Sequence, residues 1–403
     1  MHSFSLHLPT KLFFGADQGA AFAAVAATLG KHAFVVTGSG SVVRLGYLAE
    51  VTRLLADAGV KTTHFSGIEP NPEAVTINRA TAELRAAGAD FVIAVGGGSA
   101  MDAAKGIAAL AATPGADDVW PYTLGGAKAG RFTAALPLAC VPTTAATASE
   151  VTPYSVISHR ASKGKSVLGH DFLKPRASWL NPRFTTAVPA TVTADGAADI
   201  LSHVFENYLL GDSASPLADR HSEAVMLTVI ETLPKQLAAL GDEALRGQLL
   251  WASTLALGGL QSAGRSDSGY PMHSIEHAMS GVRPELAHGR GLATIFPAYF
   301  RWLLAHGRAT ERFAQLGERI FHIQGDAATR AAGFVERFEH WLAANGLRQS
   351  AAALGFTPVD FQSIAAYTVK TYGDGLTIDA LGPITRDQIV QILADTARQD
   401  QAL

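Results

Sequence analysis

Hydrophobic and polar positions change their spacing near residue 182 of the chain. Before that point, short β-branched runs alternate with stretches whose apolar residues recur at helical spacing. The runs predict strands at 33–37, 62–65 and 91–95, with helices near 42–58 and 72–87 and after residue 98. Such alternation predicts a parallel sheet covered by helices, and ligands that bind at the carboxyl ends of its strands.

From residue 183 onward the chain is rich in alanine and leucine at helical spacing. The predicted helices there include 198–209, 222–233, 245–263 and 309–320, with almost no strand-like run among them. We therefore expect an α/β domain over residues 1–182 and an all-helical domain over residues 183–403. The length of 403 residues favours the same division, because a single core rarely grows so large.

Composition and charge indicate which kinds of molecule the protein binds. With 48% hydrophobic residues, 17% charged residues and a net charge of -3, the chain lacks the basic excess of nucleic-acid-binding proteins, so we expect small-molecule ligands. The apolar runs are too short to span a membrane and the first residues do not resemble a signal peptide, which predicts a cytoplasmic protein without membrane contact. Cys140, the single cysteine, lies in an apolar run and is expected to be buried.

Three consecutive glycines join a predicted strand to a predicted helix. In the run from Val95 to Lys105, the segment Gly97-Gly98-Ser99 begins the helix. Glycines leave the backbone N–H groups accessible, and the amino end of a helix favours an anion, so this junction suits a phosphate group. A tight turn without a ligand is the alternative, because glycines are common in strand-to-helix turns.

Histidines and an aspartate in the helical half have the spacing of metal ligands. Asp199 and His203 are four residues apart, His273 and His277 repeat that spacing, and His288 lies in a glycine-containing turn. Side chains four residues apart share one face of a helix, and imidazoles with a carboxylate suit zinc or iron(II). The alternatives are a surface ion pair for Asp199 with His203 and a hydrogen-bonded structural role for His277.

These motifs together resemble the iron-containing (group III) alcohol dehydrogenase family, and within it the butanol dehydrogenase and aldehyde reductase branch. The resemblance rests on the triple-glycine loop, on Asp199-Ile-Leu-Ser-His203, on His273-Ser-Ile-Glu-His277 and on His288-Gly289, and it extends over nearly the whole chain. It implies a dehydroquinate synthase-like architecture with a Rossmann-like, dinucleotide-binding first domain. It also implies a metal- and NAD(P)-dependent dehydrogenase or reductase, active as a homodimer on a small alcohol or aldehyde.

The resemblance also implies roles for individual residues. The implied metal ligands are Asp199, His203, His273 and His288, with His277 as a proton carrier. His288 follows His273 by fifteen residues, one more than the family pattern implies, and alanine stands at position 148 where the family has glycine. The residues that we expect to contact the cofactor are Gly38, Ser39, Gly40, Ser41, Asn71, Gly97, Gly98, Ser99, Asp102, Thr143, Thr144, Thr147, Ser149 and Lys165. A plain turn at the Ser/Thr-rich segment and a solvated Lys165 are the alternatives.

The end of the strand predicted at 33–37 bears on the choice between NAD and NADP. A carboxylate at such a position binds the ribose 2′-hydroxyl and repels a 2′-phosphate. This chain has Gly38-Ser-Gly-Ser41 there, with no acidic residue, and Arg44 is close enough in sequence to pair with a phosphate. We therefore expect NADP(H) in preference to NAD(H).

Two other functions match parts of the same sequence. His273-Ser-Ile-Glu276-His277 fits the H-x-x-E-H motif of zinc peptidases, in which the glutamate is the base. A 3-dehydroquinate synthase-like lyase has the same fold and also uses NAD and a metal. Arg265 is a candidate for binding an anionic substrate, although an ion pair with Asp267 is an equally good interpretation.

Overall fold

The computed structural model describes residues 1–266 and 269–401. The strands are β1 (Lys11–Phe14), β2 (His32–Gly38), β3 (Lys61–Ile68), β4 (Phe91–Gly96), β5 (Leu138–Pro142), β6 (Tyr154–His159), β7 (Gly164–Gly169), β8 (Ala177–Leu180), β9 (Thr377–Asp379) and β10 (Pro383–Thr385). The helices are α1 (Gly19–Ala26), α2 (Ser41–Arg44), α3 (Tyr47–Asp57), α4 (Ala74–Ala87), α5 (Gly98–Ala111), α6 (Ala190–Leu210), α7 (Pro216–Ala238), α8 (Glu243–Ala256), α9 (Pro271–Val282), α10 (His288–Ala305), α11 (Thr310–Phe321), α12 (Ala327–Ala344), α13 (Pro358–Tyr372) and α14 (Arg386–Asp395).

Six strands form a parallel sheet in the order β1-β8-β5-β4-β2-β3. Phe34 of β2 lies opposite Val92 of β4, which lies opposite Leu138 of β5. The strands predicted at 33–37, 62–65 and 91–95 are confirmed as β2, β3 and β4. The parallel sheet and the helical second half confirm the fold class.

Side chains of the sheet alternate between two hydrophobic cores. Phe34, Val92 and Cys140 belong to one core, whereas Val35 and Ile93 belong to the other. This alternation follows from the pleat of a strand, and cores on both sides explain why these strands are apolar throughout. Cys140 is fully buried, as expected.

The structure departs from the predicted elements at three places. The helix predicted near 42–58 is divided into α2 and α3, because Gly46 between them has φ 77° in the left-handed region. Helix α8 ends at Ala256, before the predicted end at 263, and Gly259 beyond it has φ 98°. Glycine enters this region without the steric penalty of a Cβ, so it interrupts a helix readily. The hairpin β9–β10 interrupts a half that was expected to be all-helical.

The chain forms two compact units. The sheet unit comprises residues 7–188 and 240–254, and the helical unit comprises residues 1–6, 189–239 and 255–403. The sequence boundary at residue 182 stays a prediction. Within the described residues, no helix is both long enough and apolar enough to cross a bilayer.

Helix α6 lies at the centre of the helical unit. All its residues from 196 to 210 are buried. Phe205 packs edge-on against four other rings, with centroid distances of 5.0–5.9 Å, and each such pair contributes about 0.5–1.5 kcal/mol beyond its buried area. The four rings are Phe296, Phe300, Phe334 and Phe338. This packing holds α6, and with it the polar side chains of its other face, in one position.

Candidate metal centre and cofactor loops

Helix α6 carries the first two residues of the candidate metal centre. Asp199 and His203 are 2% and 4% exposed, and Nε2 of His203 lies 3.7 Å from Oδ1 of Asp199. Their burial excludes the surface ion pair. Oδ1 of Asp199 and Nδ1 of His203 have no hydrogen-bond partner among the described residues. Buried polar atoms without a partner are rare, and a cation would satisfy the carboxylate oxygen.

His273 on α9 and His288 at the start of α10 complete the cluster. One ligand atom each from Asp199, His273 and His288 lies within 4.8 Å of the other two. Nε2 of His288 is 3.5 Å from Oδ1 of Asp199, so the additional residue before His288 does not displace it. The His203 and His273 rings stack with their centroids 5.0 Å apart. The structure thus brings together the four residues that the resemblance implies as ligands.

Two buried glutamates lie behind the histidines. Glu206 accepts a hydrogen bond from Nδ1 of His273, and Glu276 accepts one from Nδ1 of His288. Both glutamate side chains are 0% exposed. Glu206 is missed by sequence reasoning, although its position three residues after His203 places both on neighbouring positions of one helix face. These hydrogen bonds occupy Nδ1 and leave Nε2 of each histidine to face the cluster.

Burial and charge act differently on the two stacked histidines. Burial, helped by the charges of His273 and His288 and opposed by Asp199, lowers the pKa of His203 to about 3. For His273, burial lowers the pKa, but Glu206 and the other nearby carboxylates outweigh it and the net pKa is raised. His203 is therefore neutral, which is the form that binds a metal. The surroundings of His273 favour positive charge.

His277 lies beside this cluster on α9. Its Nδ1 is 3.0 Å from the hydroxyl of Tyr372, the last residue of α13, which sequence reasoning does not single out. Ligand atoms of Glu276, His277 and His288 also lie within 4.8 Å of one another. His277 is thus hydrogen-bonded, as the structural alternative requires, and is close enough to the cluster for the proton-carrying role.

A glycine allows α10 to approach α6. A Cβ at Gly289 would lie 1.8 Å from the backbone oxygen of Asp195. No side chain fits at that distance, so only glycine permits this approach. The approach places His288, the preceding residue, next to Asp199.

In the sheet unit, the two loops predicted to bind the cofactor touch one another. The glycine loop joins β4 to α5, and the segment from Thr143 follows β5. A Cβ at Gly97 would lie 2.9 Å from Oγ1 of Thr144, and a Cβ at Gly98 would lie 2.5 Å from Cγ2 of Thr147. The absence of side chains at these glycines therefore makes room for the threonines.

The segment from Gly38 to Ser41 lies at the end of β2 and the start of α2. Ser39 and Ser41 are exposed. Gly40 has φ 109°, and a Cβ there would lie 3.5 Å from Nη1 of Arg44. The structure therefore places the Arg44 guanidinium beside this segment.

Three of the predicted cofactor residues are buried. Ser149 donates to Oδ1 of Asp102 at 2.5 Å and accepts from Nζ of Lys105 at 2.7 Å. This network ties α5 to the segment after β5. Lys165 is 3% exposed, so the solvated interpretation is wrong. Cofactor contact by Asp102, Ser149 and Lys165 stays a prediction.

Two residues at these loops have left-handed backbones without being glycine. Asn71 has φ 55°, and its N–H donates to Oγ of Ser99 at 3.3 Å. Ala148 has φ 52° and is fully buried. Asparagine tolerates this region, whereas alanine is strained there by about 1–2 kcal/mol. The left-handed backbone at position 148 therefore explains why the family pattern has glycine there.

Arg265 is not placed to bind a substrate. Its side chain is 0% exposed and donates to Asp219 at 2.6 Å and to the carbonyl of Asn207 at 2.8 Å. Arg312 binds the same carboxylate at 2.7 Å. The suggested anion-binding role is wrong, because Asp219 already occupies the guanidinium. The other suggested partner, Asp267, lies outside the described residues.

Comparison with protein families gives two adjacent matches. A model described as iron-containing alcohol dehydrogenase matches residues 9–182. A second, described as the C-terminal part of the Fe-containing alcohol dehydrogenase family, matches residues 193–397. The first contains the predicted cofactor loops and the second contains the candidate metal centre.

Individual relatives are similar over most of the chain. NADH-dependent butanol dehydrogenase B of Clostridium acetobutylicum is 32% identical, over 97% of this chain and 99% of the relative. NADPH-dependent aldehyde reductase YqhD of Escherichia coli is 33% identical, over 80% and 81% respectively. The crystal structure of NADH-dependent butanol dehydrogenase A from Thermotoga maritima matches with a TM-score of 0.91 at 27% identity, over 98% of both chains.

Gly289→Ala tests the close approach of α10 to α6. We expect this variant to lose about 1–3 kcal/mol of unfolding free energy or more, because the added methyl group meets a backbone oxygen that cannot move aside. Urea unfolding measures the loss. Gly247→Ala, in helix α8, is the matched control, since its Cβ would meet the nearest side-chain atoms at 3.4 Å. Equal stability of the two variants would contradict the argument.

Proposed function

The chain belongs to the iron-containing alcohol dehydrogenase family, and on that premise we propose which residues carry out its chemistry. It is a metal-dependent, NAD(P)-linked alcohol dehydrogenase or aldehyde reductase. The proposed metal ligands are Asp199, His203, His273 and His288. The observation that carries this proposal is the buried Oδ1 of Asp199, which has no hydrogen-bond partner in the part of the chain that the structure describes, in a cluster whose ligand atoms from Asp199, His273 and His288 lie within 4.8 Å of one another.

The two alternative functions have less support. A peptidase leaves the glycine loop and the α6 pair without a role, and the relatives are named as oxidoreductases. Glu276, the base of the peptidase motif, accepts hydrogen bonds from His288 and Ser280. A lyase acting on a phosphorylated acid needs free basic groups, and Arg265 is occupied by Asp219.

The metal and the nicotinamide divide the chemistry between them. When bound, a divalent metal acts as a Lewis acid on the carbonyl or alcohol oxygen, and the nicotinamide exchanges a hydride. On the helical unit, we propose that His277 carries the proton while the Tyr372 hydroxyl holds its Nδ1. On the sheet unit, the N–H groups of Gly98 and Ser99 bind the cofactor phosphates at the start of α5.

Other residues around the same loops of the sheet unit are also proposed to contact the cofactor. The hydroxyl groups of Thr143, Thr144 and Thr147 donate hydrogen bonds to the cofactor. They lie on the segment after β5, which packs against the glycine loop. Asn71 contacts the same loop through Ser99. Contact by Asp102, Ser149 and Lys165 is proposed from the family resemblance.

We propose NADP(H) as the preferred cofactor. The relatives include NADH-dependent and NADPH-dependent enzymes by name, so they do not decide the choice. The support is the absence of an acidic residue from Gly38 to Ser41 and the position of the Arg44 guanidinium beside Gly40. A guanidinium pairs well with the dianionic 2′-phosphate that distinguishes NADP.

The proposed metal is iron(II) or zinc. Three imidazoles and a carboxylate suit both ions, since the set contains no thiolate. A screen of aldehydes with NADPH and NADH, and of alcohols with the oxidised cofactors, distinguishes the ions when each is added to metal-free protein. The cytoplasmic location stays a prediction.

We propose that the protein is a homodimer, formed through one edge of the sheet unit. Strand β1 is an edge strand of the six-stranded sheet, and Phe14 at its end is 44% exposed. Phe14 packs edge-on against Trp251, 41% exposed, in a groove of about 710 Å³ lined mainly by apolar atoms. Open sheet edges and exposed apolar patches are frequent protein contacts.

His203→Ala tests the metal centre. We expect the variant to lose its bound metal and its turnover, while its circular dichroism spectrum and NADPH affinity stay unchanged, because the cofactor loops belong to the other unit. Metal analysis and fluorescence titration with NADPH measure both properties. His340→Ala, an exposed histidine of α12, is the control. Full metal content in the His203 variant would refute the ligand assignment.

Gly38→Asp tests the cofactor preference. Its Cβ has room, with the nearest atom, the oxygen of Ile68, at 3.5 Å. We expect NADPH to lose at least about tenfold in kcat/KM relative to NADH, equivalent to about 1.4 kcal/mol, because the carboxylate repels the 2′-phosphate. Gly38→Asn provides the uncharged control at the same salt concentration. A protein that already prefers NADH would show the NADP proposal to be wrong.

Phe14→Glu tests the dimer. We expect sedimentation velocity to give twice the 42.2 kDa chain mass for the unmodified protein and the single-chain mass for the variant, because a buried charge opposes association. Val75→Glu is the control, since Val75 is 70% exposed on α4 of the same unit. A dimer that persists in the Phe14 variant places the interface elsewhere.

A further inference from the structure

Two glutamates behind the metal centre have a role that no sequence motif assigns to them. We propose that Glu206 and Glu276 are positioning residues that decide which nitrogen carries the proton in the neutral rings of His273 and His288, and so leave Nε2 of the neutral ring unprotonated for the metal. The inference rests on the metal site proposed above. It concerns hydrogen bonds within the helical unit only.

Both oxygens of Glu206 accept hydrogen bonds from groups on α9. Oε1 accepts from the backbone N–H of Met272 at 2.6 Å, and Oε2 accepts from Nδ1 of His273. The proton of a neutral imidazole resides on the nitrogen with the better acceptor, and a carboxylate is a strong one. With Nδ1 protonated, Nε2 of His273 presents its lone pair to the cluster.

In the opposite tautomer, Nε2 of His273 carries the proton, and among the described residues the hydrogen-bond partner at that nitrogen is Ser202. Oγ of Ser202 lies 3.4 Å away, and its own hydroxyl already donates to the carbonyl of Asp199 at 2.6 Å. A contact of 3.4 Å to a neutral hydroxyl is weaker than a hydrogen bond to a buried carboxylate. Glu206 therefore decides the tautomer.

Glu276 accepts a hydrogen bond from His288 as Glu206 does from His273, but the second group bound to its carboxylate is a hydroxyl and not a backbone N–H. Its Oε1 accepts from the hydroxyl of Ser280, and its Oε2 accepts from Nδ1 of His288. A hydroxyl both donates and accepts, whereas the backbone N–H of Met272 only donates. The two glutamates should therefore tolerate replacement by glutamine differently.

Glutamine has one acceptor and one donor in place of two acceptors. In Glu206→Gln, the oxygen satisfies the fixed N–H of Met272, and the NH₂ group then faces Nδ1 of His273. That nitrogen must accept, so the proton moves to Nε2 and opposes metal binding. In Glu276→Gln, the NH₂ group donates to Ser280 and the oxygen still accepts from His288.

The experiment measures zinc affinity by competition with a chromogenic chelator. We expect Glu206→Gln to weaken zinc binding by about 10- to 100-fold, and Glu276→Gln by less than about tenfold. The visible spectrum of bound cobalt(II) reports on the same ligand sphere, and it should change in Glu206→Gln and stay close to that of the unmodified protein in Glu276→Gln.

The thermal midpoint of each metal-free variant separates positioning from a structural role. A structural role lowers that midpoint, whereas a positioning role lowers the zinc affinity alone. Should Glu206→Gln not fold, ¹⁵N NMR of the unmodified, metal-free protein at alkaline pH shows directly which nitrogen of His273 and His288 is protonated.

Different failures point to different errors. Zinc affinity that is unchanged in Glu206→Gln, equal losses in the two single glutamine variants, or an Nε2–H tautomer in the NMR spectrum overturns this inference alone. An unmodified protein that binds neither zinc nor iron(II) overturns the proposed metal site instead.

Discussion

The carboxylate of Asp199, buried on helix α6, is the constraint on which the helical unit depends. A charge removed from water is destabilising by several kcal/mol unless an opposite charge and hydrogen bonds compensate it. One of its oxygens has no hydrogen-bond partner among the described residues, and imidazoles from three helices lie nearby. The arrangement therefore favours a cation at the carboxylate. The aromatic cluster around Phe205 keeps α6 in place while it carries these polar groups.

Two further buried carboxylates extend this negative field. Glu206 and Glu276 accept hydrogen bonds from Nδ1 of His273 and His288, and on His288 the other ring nitrogen lies near Asp199. They do two things at once: their charge favours a positive ion, and their hydrogen bonds orient the rings. The pKa of His273 is raised because Glu206 and other carboxylates lie close to it, whereas the pKa of His203 is lowered because burial dominates and its Nδ1 has no hydrogen-bond partner among the described residues.

The sheet unit carries the loops that we propose bind the cofactor phosphates. Parallel strands end at one edge of the sheet, so the loops after β2, β4 and β5 lie next to one another. Glycines in the loop after β4 leave space that Thr144 and Thr147 occupy. The buried hydrogen bonds among Asp102, Ser149 and Lys105 connect helix α5 to the segment after β5. The proposed phosphate-binding groups and the buried network beside them thus come from different segments.

The sequence by itself determined the parallel sheet and the helical second half, because strand runs and helix spacing are local patterns, and its resemblance to a family predicted which residues gather in the candidate metal centre. Departures arose where a single glycine such as Gly46 interrupted a helix, since its left-handed backbone leaves no mark in hydrophobic spacing. Only the tertiary structure showed that Glu206 bonds to His273, 67 residues away, and that Tyr372 meets His277 across 95 residues. It likewise paired Arg265 with Asp219 instead of a substrate. Partners so distant in the chain are chosen by how helices pack, and no local pattern contains that information.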